Sequence, residues 1–283
     1  MSKVTLKEMF AQADAEKFCI PAFNYSDIWD FMAIVEAAEE EHALIMLASN
    51  PLVTAELGID MCAAMGSVAM ARAKTSVIHH LDHSPSVELC MEAIDLKYPS
   101  VMMDASKHPL EENIRQVKEV VEAAHKVGVL VEGEMGRIRG NGIEGKYTGD
   151  DFLVNVEDAV KLVEGTNVDS LAVGIGNAHG FYEGKPELNF QRLQEVNEAV
   201  KVPLVMHGGT GIPEEDVKKA INLGINKLNV GTIIHCTYMN AMRAELMERG
   251  ENVYTLDLAE PVRAKIKAEV KKWIRICGCN NKS

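Results

Sequence analysis

The chain has 283 residues, 47% hydrophobic and 25% charged, which is ordinary globular composition with enough length for one large core. Its formal net charge of −13 argues against a basic nucleic-acid-binding surface, while leaving room for a local anion site. No apolar run approaches the ~20 residues of a membrane span, and the opening Met1-Ser-Lys-Val-Thr-Leu-Lys-Glu lacks the apolar core of a secretory signal, so a cytoplasmic protein is expected.

In chain order, the pattern predicts a helix over 3–13 and a strand over 18–24. Asp27 is placed to cap a helix over 28–41, whose apolar stripe is Ile28, Phe31, Met32, Val35 and Ala38. A strand over 44–48 precedes a turn at Ser49-Asn50-Pro51. Then follow a helix over 59–72, a strand over 76–80, a helix over 85–96 and a strand over 100–103. Pro109 suits the first turn of a helix running to 126. A strand over 129–134 leads into 136–150, glycine-rich and without an apolar period, which is expected to form a lid over a site.

Helices over 156–162 and 191–200 alternate with strands over 168–175 and 203–206. A helix over 213–223 opens with Glu214, Glu215 and Asp216, where the helix dipole favours acids. A strand over 225–230 and helices over 232–249 and 261–276 complete the chain. Eight strands alternating with helices predict a single-domain (β/α)₈ barrel spanning residues 1–283 with a C-terminal helix. An open doubly wound sheet is the alternative. The barrel is preferred because polar strand ends are spread along the whole chain instead of gathering at one switch point.

Four such ends stand out: His79-His80-Leu81-Asp82-His83, Gly176-Asn177-Ala178-His179-Gly180, Met206-His207-Gly208-Gly209-Thr210-Gly211 and Asn229-Val230-Gly231-Thr232. A barrel gathers strand ends on one face, where active sites form. His83, His179 and His207 share no local ligand spacing, so a joint metal site would be tertiary. Three histidines with an open position suit catalytic zinc. The bland alternative is three hydrogen-bonded loop residues. Asp82, beside His83, can serve as a proton carrier or a salt-bridge partner.

Gly208-Gly209-Thr210-Gly211 and Asn229–Thr232 offer backbone amides after the seventh and eighth strands, where barrels commonly hold phosphate. Asp104, Glu132 and Glu134 also lie at strand ends, as supports behind the metal ligands, as alternative metal ligands, or as barrel-interior acids paired with arginine. The six cysteines form no CxxC pair and are expected to be reduced thiols; Cys277-Gly-Cys279 has no assigned role.

Nearly end to end, the chain resembles the class II, zinc-dependent ketose-bisphosphate aldolases of the fructose- and tagatose-bisphosphate group. The likeness rests on Pro21-Ala-Phe-Asn24, Leu81-Asp-His83, Val131-Glu-Gly-Glu-Met-Gly136, Leu171-Ala-Val-Gly-Ile-Gly-Asn-Ala-His-Gly180, His207-Gly-Gly-Thr-Gly-Ile212 and Lys227-Leu-Asn-Val230. It implies a barrel, usually a homodimer or homotetramer, in which His83, His179 and His207 hold Zn²⁺ and Asp82 is the catalytic acid. Asp104 and Glu134 would mark an alternative metal position. Asn24, Ser49, Gly180, Gly208, Gly209, Thr210, Asn229, Val230, Gly231 and Thr232 would contact a sugar phosphate, with a monovalent cation (Na⁺ or K⁺) nearby. Glu144 is the loose match to the lid glutamate.

The resemblance implies reversible cleavage of a ketose 1-phosphate or 1,6-bisphosphate to dihydroxyacetone phosphate and an aldehyde. Departures are Gly231, Ile233-Ile234-His235 and Ser84. At the arginine that grips the far phosphate an ungapped reading places Leu256, with Arg137, Arg139 and Arg263 as replacements. An aldehyde half without phosphate is therefore an alternative expectation. A metal hydrolase and a non-catalytic sugar-phosphate binder are the others.

Overall fold

The computed structural model describes residues 3–142, 145–147, 152–182 and 184–283. The chain runs α1 (Leu6–Glu16), β1 (Ile20–Asn24), α2 (Ile28–Glu40), β2 (Ile45–Ser49), α3 (Pro51–Leu57), α4 (Ile59–Arg72), β3 (Val77–Ser84), α5 (Val87–Asp95), β4 (Ser100–Met103), α6 (Leu110–Ala124) and β5 (Leu130–Met135). It continues β6 (Arg139–Gly142), β7 (Gly145–Tyr147), α7 (Val156–Thr166), β8 (Ser170–Val173), β9 (Ala178–His179), α8 (Phe190–Ala199), β10 (Leu204–Met206), α9 (Glu214–Asn222), β11 (Ile225–Val230), α10 (Thr232–Arg249) and α11 (Thr255–Ile276).

Eight strands close in the order β1-β11-β10-β8-β5-β4-β3-β2, every pair parallel. This is a single-domain (β/α)₈ barrel. Apolar helix faces cover the outside of the strands, forming one continuous core. Side chains alternate along a strand, so the pairing register sorts inside from outside. Paired positions Asn24↔Ala48, Ala48↔His80, His80↔Ser100, Met102↔Glu132 and Glu134↔Ala172 share the interior, as do Lys227 and Asn229 of β11. An apolar interior cluster of Met102, Ala172 and Val205 shares this space with ionisable groups.

Three elements differ from the sequence expectation. Asn50-Pro51 begins a helix: the Asn50 side chain accepts from Val53 N–H, and proline at the first position needs no N–H partner. Strand β3 continues to Ser84, because His80 and Asp82 face a polar barrel interior that hydropathy does not recognise as buried. Helix α11 starts at Thr255, ahead of Pro261; the carbonyl left without its helical donor lies in an exposed early turn.

Capping agrees with expectation at α2, where Asp27 and Asp30 form a reciprocal box. The glycine-rich 136–150 contains the antiparallel pair β6–β7, and β6 pairs in parallel with β9. All six cysteines are free, and Cys279 Sγ donates to Leu44 O. Among the described residues no single helix is long and apolar enough to cross a membrane.

Candidate active site

The C-terminal ends of the strands enclose a cavity of about 330 Å³. Its wall includes Asn24 from β1, Asp82 and His83 from β3, His179 from β9, Asn229 from β11 and the first turn of α10. Consecutive strand residues normally point to opposite sides. At β3 the register shifts between Leu81 and Ser84, and His83 adopts φ +49°. That kink lets Asp82 and His83 face the same space.

His83, His179 and His207 converge, with one nitrogen from each lying within 4.8 Å of the others. His207 follows β10 directly. Next to it, Gly208 has φ +69°, and a Cβ there would lie 2.1 Å from Ala178 O, so only glycine fits. Tyr182 Oη accepts from Ala178 N–H at 2.9 Å and donates to Gly208 O at 3.0 Å. Asn177 Nδ2 donates to His207 O at 3.0 Å. These contacts clamp the His179 loop onto the His207 loop.

The tautomers test whether a cation fits. His83 Nδ1 lies 3.0 Å from Asp104 Oδ2, and His207 Nε2 lies 2.8 Å from Glu132 Oε1. Burial opposes ionisation of Asp104, yet the bond and charge of His83 hold it below the usual carboxylate range. Glu132 is likewise held to about 2 against burial by Lys227 and His207. Both carboxylates are therefore anions, and each takes an imidazole N–H. The other nitrogens, His83 Nε2 and His207 Nδ1, face each other at 2.8 Å, and a nitrogen of His179 lies close by, so three imidazoles of separate strands converge as the ligands of one cation would. The carboxylate–imidazole arrangement matches how proteins orient metal-binding histidines. A second group, His83, Asp104 and Glu134, meets the first at His83, through its other nitrogen.

Asp82 is almost fully buried. Its Oδ2 accepts from Asn24 Nδ2 and its Oδ1 from Asn229 Nδ2, each at 2.8 Å. Burial favours the neutral acid, but His83, His207 and Lys227 overcome it and hold Asp82 far below the usual carboxylate range. Asn229 Oδ1 is buried with no hydrogen-bond partner among the described residues.

Gly180, Gly208, Thr210, Gly231 and Thr232 line the cavity, and Thr210 Oγ1 accepts from Ile233 N–H at 3.1 Å. Three other predicted contacts lie elsewhere. Ser49 pairs with Leu81 on the outer face of the barrel and bonds Tyr98 Oη at 3.1 Å. Val230 is the outward neighbour of Asn229, and the Gly209 amide is spent on Asn229 O. Glu144 and the side chain of Arg139 lie outside the described residues. Leu256 is exposed on α11, and Arg263 turns to Glu36 at 3.7 Å.

Sequence reasoning missed Asn50, Leu52 and His235, all in the cavity wall. It also missed the ion pair of Lys227 with Glu132, for which interior register on β11 and β5 was the available signal. His80 is a fourth interior histidine: Nδ1 bonds Ser100 Oγ at 2.8 Å, and burial lowers its pKa to about 3.

The family profile of class-II fructose-bisphosphate aldolase matches residues 4–282. The chain belongs to the class II fructose-bisphosphate aldolase family. A Geobacillus stearothermophilus protein named fructose-bisphosphate aldolase is 37% identical, covering 100% of this chain and 99% of its own. A Bacillus velezensis protein named 6-phospho-5-dehydro-2-deoxy-D-gluconate aldolase is also 37% identical, over 92% of this chain and 88% of its own. The crystal structure of the YdjI aldolase from Escherichia coli K12 superposes with TM-score 0.87 at 31% identity, covering 99% of both chains. As a class II aldolase, the chain is an aldehyde-lyase whose substrates are sugar phosphates.

Proposed function

We propose that this aldolase is zinc-dependent and reversibly cleaves a ketose 1-phosphate to dihydroxyacetone phosphate and an aldehyde. The observation that carries this reading is the convergence of His83, His179 and His207 beside a carboxylate pinned by two amides. His83, His179 and His207 would hold the metal, which supplies Lewis-acid stabilisation of the charge left on the three-carbon half. The His83–Asp104–Glu134 group would be an alternative position for it.

Asp82 takes the proton from the hydroxyl on the carbon that becomes the aldehyde, and returns it in synthesis. Asn24 and Asn229 keep its oxygens in place, and Asn229 Oδ1 is an acceptor for a substrate hydroxyl. Backbone amides around Gly180, Gly208, Thr210, Gly231 and Thr232 receive the phosphate, next to the N-terminus of α10. A sodium or potassium ion beside the phosphate would offset part of its charge.

Residues 1–283 would act as one unit in the cytoplasm, as a homodimer or homotetramer, which sedimentation measures. Removing metal with chelator, with loss verified by elemental analysis, is expected to stop dihydroxyacetone phosphate release, and added zinc to restore it. Full turnover by metal-free protein rejects the proposal.

Among the described residues no lysine or arginine lines the cavity. That favours an aldehyde half without its own phosphate over a 1,6-bisphosphate. The two relatives at 37% identity carry different substrate names, so the choice falls to the cavity. Comparing turnover of fructose 1,6-bisphosphate with singly phosphorylated ketoses tests this; a strong preference for the bisphosphate rejects it.

A further inference from the structure

His235 lies in the first turn of α10, and its ring joins Leu52 and Asn50 in the cavity wall. It is held by a loop that shares no residue with the metal cluster. Ser26 donates its backbone N–H and its hydroxyl to the same oxygen of Asp30, at 2.7 and 2.6 Å. With its hydrogen spent there, Ser26 Oγ can only accept from His235 Nδ1, 3.1 Å away. The neutral ring then carries its hydrogen on Nδ1, and Nε2 is a bare acceptor. Nε2 has no partner among the described residues, and the side chain is 36% exposed.

The three-carbon half of the substrate has no group left for this acceptor. In the reading proposed above, on which this inference rests, its phosphate goes to backbone amides and its carbonyl and hydroxyl oxygens to the metal. Set beside Asn50 and Leu52, with no group of the three-carbon half left to meet it, this acceptor serves the other half. Burial lowers the pKa of the ring and keeps it neutral, so a phosphate there would meet the lone pair of Nε2 and, behind it, the charge of Asp30, whose Oδ2 is 3.9 Å from Nδ1. A hydroxyl presents a hydrogen. The geometry points to His235, oriented by Ser26 and Asp30, as the residue that recognises a hydroxyl of the aldehyde half and so selects unphosphorylated hydroxyaldehydes.

The test runs in the synthetic direction on the zinc-loaded enzyme, with dihydroxyacetone phosphate and three-carbon acceptors: glyceraldehyde, glyceraldehyde 3-phosphate and propionaldehyde. Wild type is expected to use glyceraldehyde faster than the other two. In His235→Ala, and in His235→Phe, which keeps a ring in place, the glyceraldehyde-to-propionaldehyde ratio of kcat/KM should fall about ten-fold, the worth of one hydrogen bond. A merely structural role would slow both acceptors and leave the ratio alone.

Exchange of the dihydroxyacetone phosphate C–H hydrogen with solvent, which needs no aldehyde, is measured alongside. An unchanged ratio in both variants, with exchange intact, overturns this inference alone; a wild-type preference for glyceraldehyde 3-phosphate, with exchange intact, overturns it together with the unphosphorylated aldehyde half proposed above, and leaves the metal-dependent cleavage standing. Absence of exchange in wild type overturns the proposed reaction and this inference with it.

Discussion

Lys227 Nζ lies 2.8 Å from Glu132 Oε2, and both side chains are sealed inside the barrel. The other oxygen of Glu132 takes the His207 Nε2–H, so the lysine acts on His207 through the carboxylate. Lys227→Met would strand a buried anion, costing about 3–5 kcal/mol of stability. If Glu132 became protonated in response, His207 would lose its orienting acceptor. Zinc affinity is then expected to drop by about 10–100-fold. Thermal melts and zinc titration check the two effects separately.

Asp82→Asn keeps the shape of the side chain but not its proton chemistry. It is expected to lower kcat by about 10²–10⁴-fold while zinc content stays near wild type. Asn24→Ala removes one of the two amides on Asp82 and should cost about ten-fold. Steady-state kinetics with metal analysis on each purified variant are the measurement.

His79 faces outward from β3, with Nε2 3.0 Å from Tyr25 Oη and its ring stacked on Tyr98 at 4.2 Å. Burial lowers its pKa from 6.5 to about 3. Between those values the unfolded chain binds a proton that the folded chain does not, so stability rises with pH there. Acidification from pH 6 toward pH 3 should cost about 1.4 kcal/mol per pH unit from this ring alone. Denaturant unfolding of His79→Gln across that range should show a slope smaller by about one proton.

Gly66 sits inside α4, where alanine would normally add about 1 kcal/mol of helix stability. A Cβ there would lie 2.2 Å from His79 Nδ1. Gly66→Ala is therefore expected to destabilise the protein, by about 1–3 kcal/mol, through overpacking of a ring that cannot retreat. A higher melting temperature in the variant would contradict that packing.

The strand ends that bring His83, His179 and His207 together were legible because each follows an apolar run. Alternation also put Glu132 and Glu134 on one face. What stayed hidden has two physical causes. The barrel interior near the site is polar, so Asp82 and His83 read as loop although they belong to β3. Partners are also remote: Glu132 finds Lys227 95 positions away, and His235 finds Ser26 209 positions away. Ser49 and Val230 show the converse lesson. They neighbour interior residues in sequence, and a two-residue period sends them outward.

The ring of strands closes where β1 meets β11, and Asp82 is gripped from both sides of that seam, by Asn24 and by Asn229. During synthesis, a growing chain has made its carboxylate and the first of its two supports long before the second leaves the ribosome. Asp82 thus gains its second support only once residue 229 has been made, and fragments that stop short of it should be catalytically silent.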